Sequence, residues 1–284
     1  MAIVYRYFQS HWYETLRDAE FLASSPVKFN DILDCSACGI GDIPEEEIYR
    51  YFHGRDWFGV FAKACEGEGK PIDMAIDALN SERFTIENLD LNGRLRTNLE
   101  NRKSLSKVWR IVCFSELPLD SLERRLNESR MWKRYANKDR GVRIGVDFSL
   151  CTTDPEEYIL HKVYYSQYEG FVDFRNIKLN PLRIHDLLVP VFTKVKRIWG
   201  RECEVRLLTK PDFCNVKKGS SGTQLCFWKF NREMVRQVFL GARFPHNQIK
   251  GLIKMLKRVY PKELEVYHTK CPGRINGYEY DRIA

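Results

Sequence analysis

Hydrophobic and polar residues alternate with period two over several short stretches of the chain, and each such stretch predicts a strand. Residues 3–8 do so first, with Val4, Arg6 and Phe8 opposing Ile3, Tyr5 and Tyr7. Phe21-Leu-Ala-Ser-Ser25 reads as a second extended piece stopped by Pro26, and Ile111-Val-Cys-Phe-Ser115 as a short buried strand closed by Pro118. Val142, Ile144, Val146 and Phe148 alternate with Arg143, Gly145 and Asp147, and shorter strands are predicted at Val163–Tyr165, 223–230, 237–241 and 264–269. The most informative alternation lies in Trp199-Gly-Arg-Glu-Cys-Glu-Val-Arg-Leu-Leu208. Glu202, Glu204 and Arg206 fall on one side of an extended chain there, with Cys203, Val205 and Leu207 on the other. Such a charged front is either wet surface or the floor of a site.

Helical spacing appears between these stretches. A short helix is predicted around Tyr13 to Glu20, and a helix capped by Asp120 or Ser121 follows the Ile111–Ser115 strand. Arg130-Met-Trp-Lys-Arg-Tyr-Ala136 continues as helix with Trp132, Tyr135 and Ala136 on one face. Residues 182–198 read as an amphipathic helix despite Pro190, and a basic helix between the last two strands turns Ile249, Leu252, Ile253 and Leu256 inward. From Pro44 to Lys107, residues such as Ile48, Tyr51, Phe52, Trp57, Phe58 and Phe61 recur at helical spacing, which predicts an all-helical insertion at about 44–107 serving as a lid or a platform. Strand-rich ends without regular strand–helix alternation predict an α+β fold with a split, mostly antiparallel sheet. Residues 1–284 then form a single domain that carries the insertion.

Composition narrows the function classes. Apolar residues at 44% and charged residues at 30% describe an ordinary soluble chain, and no apolar run approaches the ~20 residues of a membrane-spanning helix. The opening residues read as a strand rather than a signal peptide, so a cytoplasmic protein without membrane partners is expected. The nine cysteines are mostly scattered, Cys35-Ser-Ala-Cys38 has no second pair, and the expectation is free thiols with no metal. No Gly-rich phosphate loop and no G-x-S-x-G elbow is present. Net charge is +8, with 46 basic against 38 acidic residues. Basic residues cluster at Arg124-Arg125, Lys133-Arg134, Lys194 to Arg201, Lys217-Lys218 and Lys250 to Arg258, near Trp132, Tyr135, Trp199 and Trp228. These clusters are either solvated faces or a surface for single-stranded nucleic acid.

Several motifs occur in the order of a bacterial family. They are Tyr5-Arg-Tyr7, Phe29-Asn-Asp31, Val112-Cys-Phe-Ser115, Met131-Trp-x-x-Tyr-Ala136 with Gly141-Val-x-Ile-Gly-Val-Asp-Phe148, Trp199-x-x-Glu-x-Glu-x-Arg206 and Val238-Phe-Leu-Gly241. Over nearly all of the chain outside the helical insertion, they resemble a widespread bacterial family catalogued as a domain of unknown function and often found beside mobile and defence genes. More distantly, the chain resembles ADP-ribosyltransferase toxins that modify nucleic-acid bases. Those enzymes hold NAD between two small sheets using a basic residue on the first strand, a Ser or Tyr near the next core strand and a Glu on a late strand. Arg6, then Ser115 or Tyr135, then Glu204 match these stations in order. The chain departs from the arginine-type enzymes in lacking their Ser-Thr-Ser triplet.

The resemblance implies NAD as cofactor, with Glu204, Glu202 and Tyr135 catalytic and Arg6, Tyr7, Asn30, Asp31, Ser115, Trp132 and Arg206 binding NAD. Bond breaking between ribose and nicotinamide builds positive charge that a carboxylate stabilises. Arginine suits a pyrophosphate, an aromatic such as Tyr135 or Trp132 can stack on nicotinamide, and Glu202 can serve as general base. The expected function is ADP-ribosylation of a macromolecule, nucleic acid favoured over protein, in a toxin or phage-defence effector with an antitoxin partner. The alternative is a non-catalytic nucleic-acid or protein binding module in which Glu202, Glu204 and Arg206 form structural pairs.

Overall fold

The computed structural model describes residues 3–29, 38–39, 100, 103–117, 121–166, 171–172, 193–195, 200–219, 222–270 and 278–284. In chain order the elements are β1 (Val4–Phe8), α1 (Trp12–Asp18), β2 (Glu20–Ala23), β3 (Cys38–Gly39), β4 (Arg110–Ser115), α2 (Ser121–Tyr135) and β5 (Val142–Val146). There follow β6 (Tyr158–Lys162), β7 (Tyr164–Ser166), β8 (Phe171–Val172), β9 (Thr193–Val195), β10 (Glu204–Thr209), β11 (Cys214–Lys218) and β12 (Gln224–Lys229). The chain closes with β13 (Val235–Leu240), α3 (His246–Val259), β14 (Glu265–Lys270) and β15 (Glu279–Arg282). The fold is mixed α and β, with a large, mostly antiparallel sheet and few helices among the described residues.

The chain divides into two compact units, one formed by 1–23, 111–162 and 201–284, the other by 24–110 and 163–200. Within the second unit β3 pairs parallel with β8, and β7 parallel with β9. The expected helical insertion at 44–107 falls inside this unit; residues 103–108 are helical, while 44–99 and 101–102 lie outside the described residues. One expectation is corrected here: Thr193–Val195 is a strand and not part of a helix over 182–198. The β-branched Thr193 and Val195 favour that extended state.

The first unit holds an eight-stranded sheet in the order β15-β14-β13-β5-β1-β4-β10-β6, and a three-stranded sheet in the order β11-β12-β2. In the large sheet β1 runs antiparallel to β4 and β5, β10 to β6, and β14 to β15, while β13 and β14 are parallel. Both faces of its centre are covered, so β5 and β10 are buried at every position. On one face Val4, Phe8, Val112, Phe114, Ile144, Val205 and Leu207 meet the small sheet through Phe21 and Trp228, and α3 through Leu252, Met255 and Leu256. Phe21 stacks on Phe230 at 4.4 Å and meets Phe114 edge-on at 5.4 Å, contacts worth ~0.5–1.5 kcal/mol each beyond burial. The inward row of α3 includes Met255, with Ile253 only half-buried. On the opposite face α2 lays Met131, Trp132 and Ala136 against Tyr7 and Phe239.

Two close approaches fix the turn that follows α2. A Cβ at Gly141 would stand 1.9 Å from the Phe8 carbonyl oxygen, and one at Gly241 would stand 2.2 Å from that of Asp139. Just before Gly141, Asn137, Lys138 and Asp139 all take left-handed backbone angles, an arrangement that costs each non-glycine residue roughly 1 kcal/mol. Tyr278 offsets part of that cost by donating its hydroxyl to Asp139 Oδ1 at 2.8 Å.

Candidate functional site

Strand parity decides which of the expected residues can meet. Tyr5 lies opposite Ser115, and Tyr7 opposite Arg143, so these four side chains share the face that α2 covers. Val205 and Leu207 belong to the other face, with Val4 and Phe8. Glu204 and Arg206 alternate with them and therefore point toward the α2 side. Tyr7, Ser115, Trp132, Tyr135, Glu202, Glu204 and Arg206 thus gather on one side of the large sheet.

Arg6 does not join them. It shares the face of Val4 and Phe8, and its guanidinium lies 5.4 Å from the Phe8 ring centroid and 5.6 Å from that of Phe21. It donates from Nη1 to the Cys113 carbonyl at 3.1 Å and from Nη2 to that of Leu22 at 3.2 Å. Burial lowers its pKa from the ordinary arginine value. Arg6 and Glu204, both expected at one NAD site, lie on opposite faces of the large sheet. Asn30 and Asp31 lie outside the described residues.

The E-x-E-x-R stretch is also built differently from a simple extended face. Gly200–Glu202 is a turn of 3-10 helix, and the strand starts only at Glu204. Cys203 joins the two with φ of 44°, a left-handed conformation rare outside glycine. Burial pushes the Cys203 thiol up, and the nearby Glu116 and Glu123 carboxylates act in the same sense. The intended charged front is not wet surface, since Glu202 is 4%, Glu204 5% and Arg206 0% exposed. Arg206 grips Glu204 with both ends of its guanidinium, Nε to Oε1 at 2.8 Å and Nη2 to Oε2 at 3.2 Å. Charge-assisted bonds of this kind are about twice as strong as neutral ones, and the fork adds geometric specificity.

Glu202 has other partners. Tyr135 donates its hydroxyl to Glu202 Oε1, and Arg134 Nη1 stands 4.0 Å from the same oxygen. Ser115 Oγ donates to the Glu202 main-chain carbonyl, and Asn127 Nδ2 to that of Arg201. The last turn of α2 is thereby pinned to the segment that enters β10. Tyr135 is half-buried and the Arg134 side chain 40% exposed, so Glu202 lies directly beneath groups that reach solvent. Trp132, by contrast, is fully buried and edge-on to Tyr7 at 5.4 Å, with no exposed ring face for a ligand.

Beside this cluster is a feature that sequence reasoning missed. Arg143 is 1% exposed and donates from Nη1 to Glu128 Oε1 at 2.7 Å and to the Tyr7 hydroxyl at 3.3 Å. Tyr280 donates to the same Glu128 oxygen at 2.8 Å. Phe239 at 3.9 Å, Tyr5 at 4.8 Å, Tyr280 at 4.9 Å, and Tyr7 and Trp132 at 5.7 Å surround the guanidinium. Burial pushes the Tyr7 and Tyr280 hydroxyls up, so both keep the protons they donate or share. The signal was present: Glu128 and Trp132 stand one helical turn apart, and Arg143 interrupts an otherwise apolar strand.

For an ADP-ribosyl donor, Glu202 and Tyr135 offer acceptor and donor groups suited to ribose hydroxyls. The phosphate station expected at Arg6 is on the other face, and Arg206 is committed to Glu204. Arg134 is the cation placed beside Glu202 on this face. Among the described residues no group of three or more His, Cys, Asp or Glu side chains is arranged to hold a metal, and no helix is long and apolar enough to cross a membrane. No protein-family model, no curated protein and no solved structure matches the chain.

Proposed function

We propose that the cluster beneath the C-terminal turn of α2 is the site of an NAD-dependent ADP-ribosyltransferase acting on nucleic acid, with Glu202 as its working carboxylate. The observation that carries this reading is the left-handed backbone at Cys203, between two buried glutamates. A non-glycine residue held there costs ~1–3 kcal/mol, and such strain concentrates at functional sites. NAD, when bound, would supply an ADP-ribosyl group, with nicotinamide departing as its bond to the ribose breaks and positive charge builds on that ribose. Glu202 and Tyr135 would hold that ribose and Arg134 the phosphates. Glu202 takes up the proton of the attacking acceptor group, and the Tyr135 hydroxyl orients its carboxylate for that role. The Glu204–Arg206 pair supports the strand from beneath and keeps a fixed dipole near the reacting charge. A toxin or defence role with an antitoxin partner accompanies this reading.

Incubation with labelled NAD and nucleic acid tests it. Glu202→Gln should abolish label transfer at unchanged thermal stability, because the amide still accepts from Tyr135. Transfer that persists in Glu202→Gln removes this carboxylate from the chemistry, and an absence of NAD binding in calorimetry removes the enzyme.

The forked, buried Glu204–Arg206 pair favours a second reading, a non-catalytic nucleic-acid-binding module in which the whole cluster is structural. Both readings predict a stability loss of ~3–5 kcal/mol for Glu204→Gln, since an unpaired buried charge remains. Label transfer by the unaltered protein separates them: the binding module transfers none while still binding nucleic acid.

A further inference from the structure

The outward face of α3 carries Lys250, Lys254, Lys257 and Arg258, all exposed and spaced so that they form one stripe along the helix. No acidic residue occurs anywhere in His246–Val259. Among the described residues none of these four cations has an ion-pair or hydrogen-bond partner. Other basic positions differ: Lys217 is paired with Glu20 at 2.5 Å and Asp18 at 3.5 Å, and Arg134 approaches Glu202 at 4.0 Å. Like charges three and four residues apart repel, so folding alone does not account for the stripe.

Gly251 adds an independent observation. It lies on the exposed face beside Lys250, in the interior of the helix, where glycine is a poor choice. A Cβ built there meets nothing within 4 Å, so no packing within the protein requires its absence. Close approach of an external backbone is what a glycine at such a place permits.

We infer that this face of α3 binds the phosphate backbone of double-stranded nucleic acid. Lys250 to Arg258 spans ~12 Å of helix axis, over which one duplex strand presents three to four phosphates. The stripe has no aromatic residue, so it offers no stacking platform for single-stranded bases. Its apolar residues Leu252, Met255 and Leu256 are buried in the protein core, which leaves no apolar face for a lipid bilayer. The inference rests on the proposed function only in taking nucleic acid as the polyanion.

Fluorescence anisotropy with a labelled 20-base-pair duplex, measured from 50 to 200 mM salt without NAD, tests it. Four phosphate contacts give a slope of log K against log salt of about −3.6, or roughly a 150-fold loss of affinity over that range. Substituting all four cations by Ala should make the slope less negative by about 3.6, each single substitution by about 0.9, and substituting the three lysines by Arg should leave it unchanged. Alanine at these exposed helical sites preserves the fold, which circular dichroism checks. Gly251→Ala should raise the melting temperature and weaken duplex binding. A wild-type slope unchanged by the four substitutions overturns the inference, as does an absence of duplex binding at 50 mM salt. Binding to phosphatidylserine vesicles in place of duplex, lost in the same variant, overturns it in favour of a membrane surface. Lost label transfer with intact duplex binding counts against the enzyme reading alone, and the converse against this inference alone.

Discussion

Removing the Glu128 carboxylate charge while keeping its shape should be among the most damaging conservative changes in the protein. Glu128→Gln leaves the Arg143 guanidinium, 1% exposed, with the Tyr7 hydroxyl and five ring faces but no counter-charge. Breaking one partner of a buried pair costs ~3–5 kcal/mol. Desolvated cation–π contacts are worth ~2 kcal/mol or more and persist, which places the expected loss at about 3 kcal/mol. At ~2–4 °C per kcal/mol, the melting temperature should fall by roughly 6–12 °C. Arg143→Met alone strands the carboxylate instead and should cost a similar amount. The double variant Glu128→Leu/Arg143→Met removes both charges in favour of apolar groups of similar size, and such replacements are neutral or stabilising by ~1–4 kcal/mol. The coupling between the two sites should therefore amount to several kcal/mol, read by calorimetry across the four proteins. A cost below ~1 kcal/mol for Glu128→Gln would refute the reasoning, because the rings alone would then hold the guanidinium. The cage joins α2, β5 and β15, so Glu128→Gln should also loosen the placement of Tyr135 over Glu202.

Glycine positions should respond oppositely to alanine. Gly141→Ala and Gly241→Ala drive a methyl into main-chain oxygens at 1.9 and 2.2 Å and should prevent stable folding, seen as loss of a cooperative melting transition, whereas Gly251→Ala should stabilise by ~0.5–1 kcal/mol. The pH dependence of stability should carry a contribution from His268, whose pKa burial lowers from 6.5, with the facing His246 and Lys270 acting in the same sense and Asp281 against it. The unfolded chain then binds the proton first, so stability should fall as pH drops below about 6.5 and keep falling to the lower native pKa. His268→Gln should flatten that part of the curve in denaturant titrations at pH 5 to 8.

The alternations at 3–8, 142–148 and 202–207 yielded strands over Val4–Phe8, Val142–Val146 and Glu204–Thr209 because period two is a local property of the backbone, and the 3.6-residue period of α3 is equally local. Parity along β1 even separated Arg6 from Tyr7 before any fold was known, since neighbours on a strand point to opposite faces. What alternation could not reveal is that both faces of the large sheet are covered. A polar position on a strand ordinarily signals solvent. Here Arg143, Glu204 and Arg206 signal buried pairs, whose partners come from a helix fifteen residues upstream or from two positions along the same strand. Thr193–Val195 shows the same limit in another form, because pairing with Tyr164–Ser166 overrode a helical spacing that local pattern favoured. The identity of β1, β5, β10 and α3 followed from residue order. Which face each side chain shares, and with which distant charge, depended on tertiary packing, because desolvation and ion pairing act between groups that chain order leaves far apart.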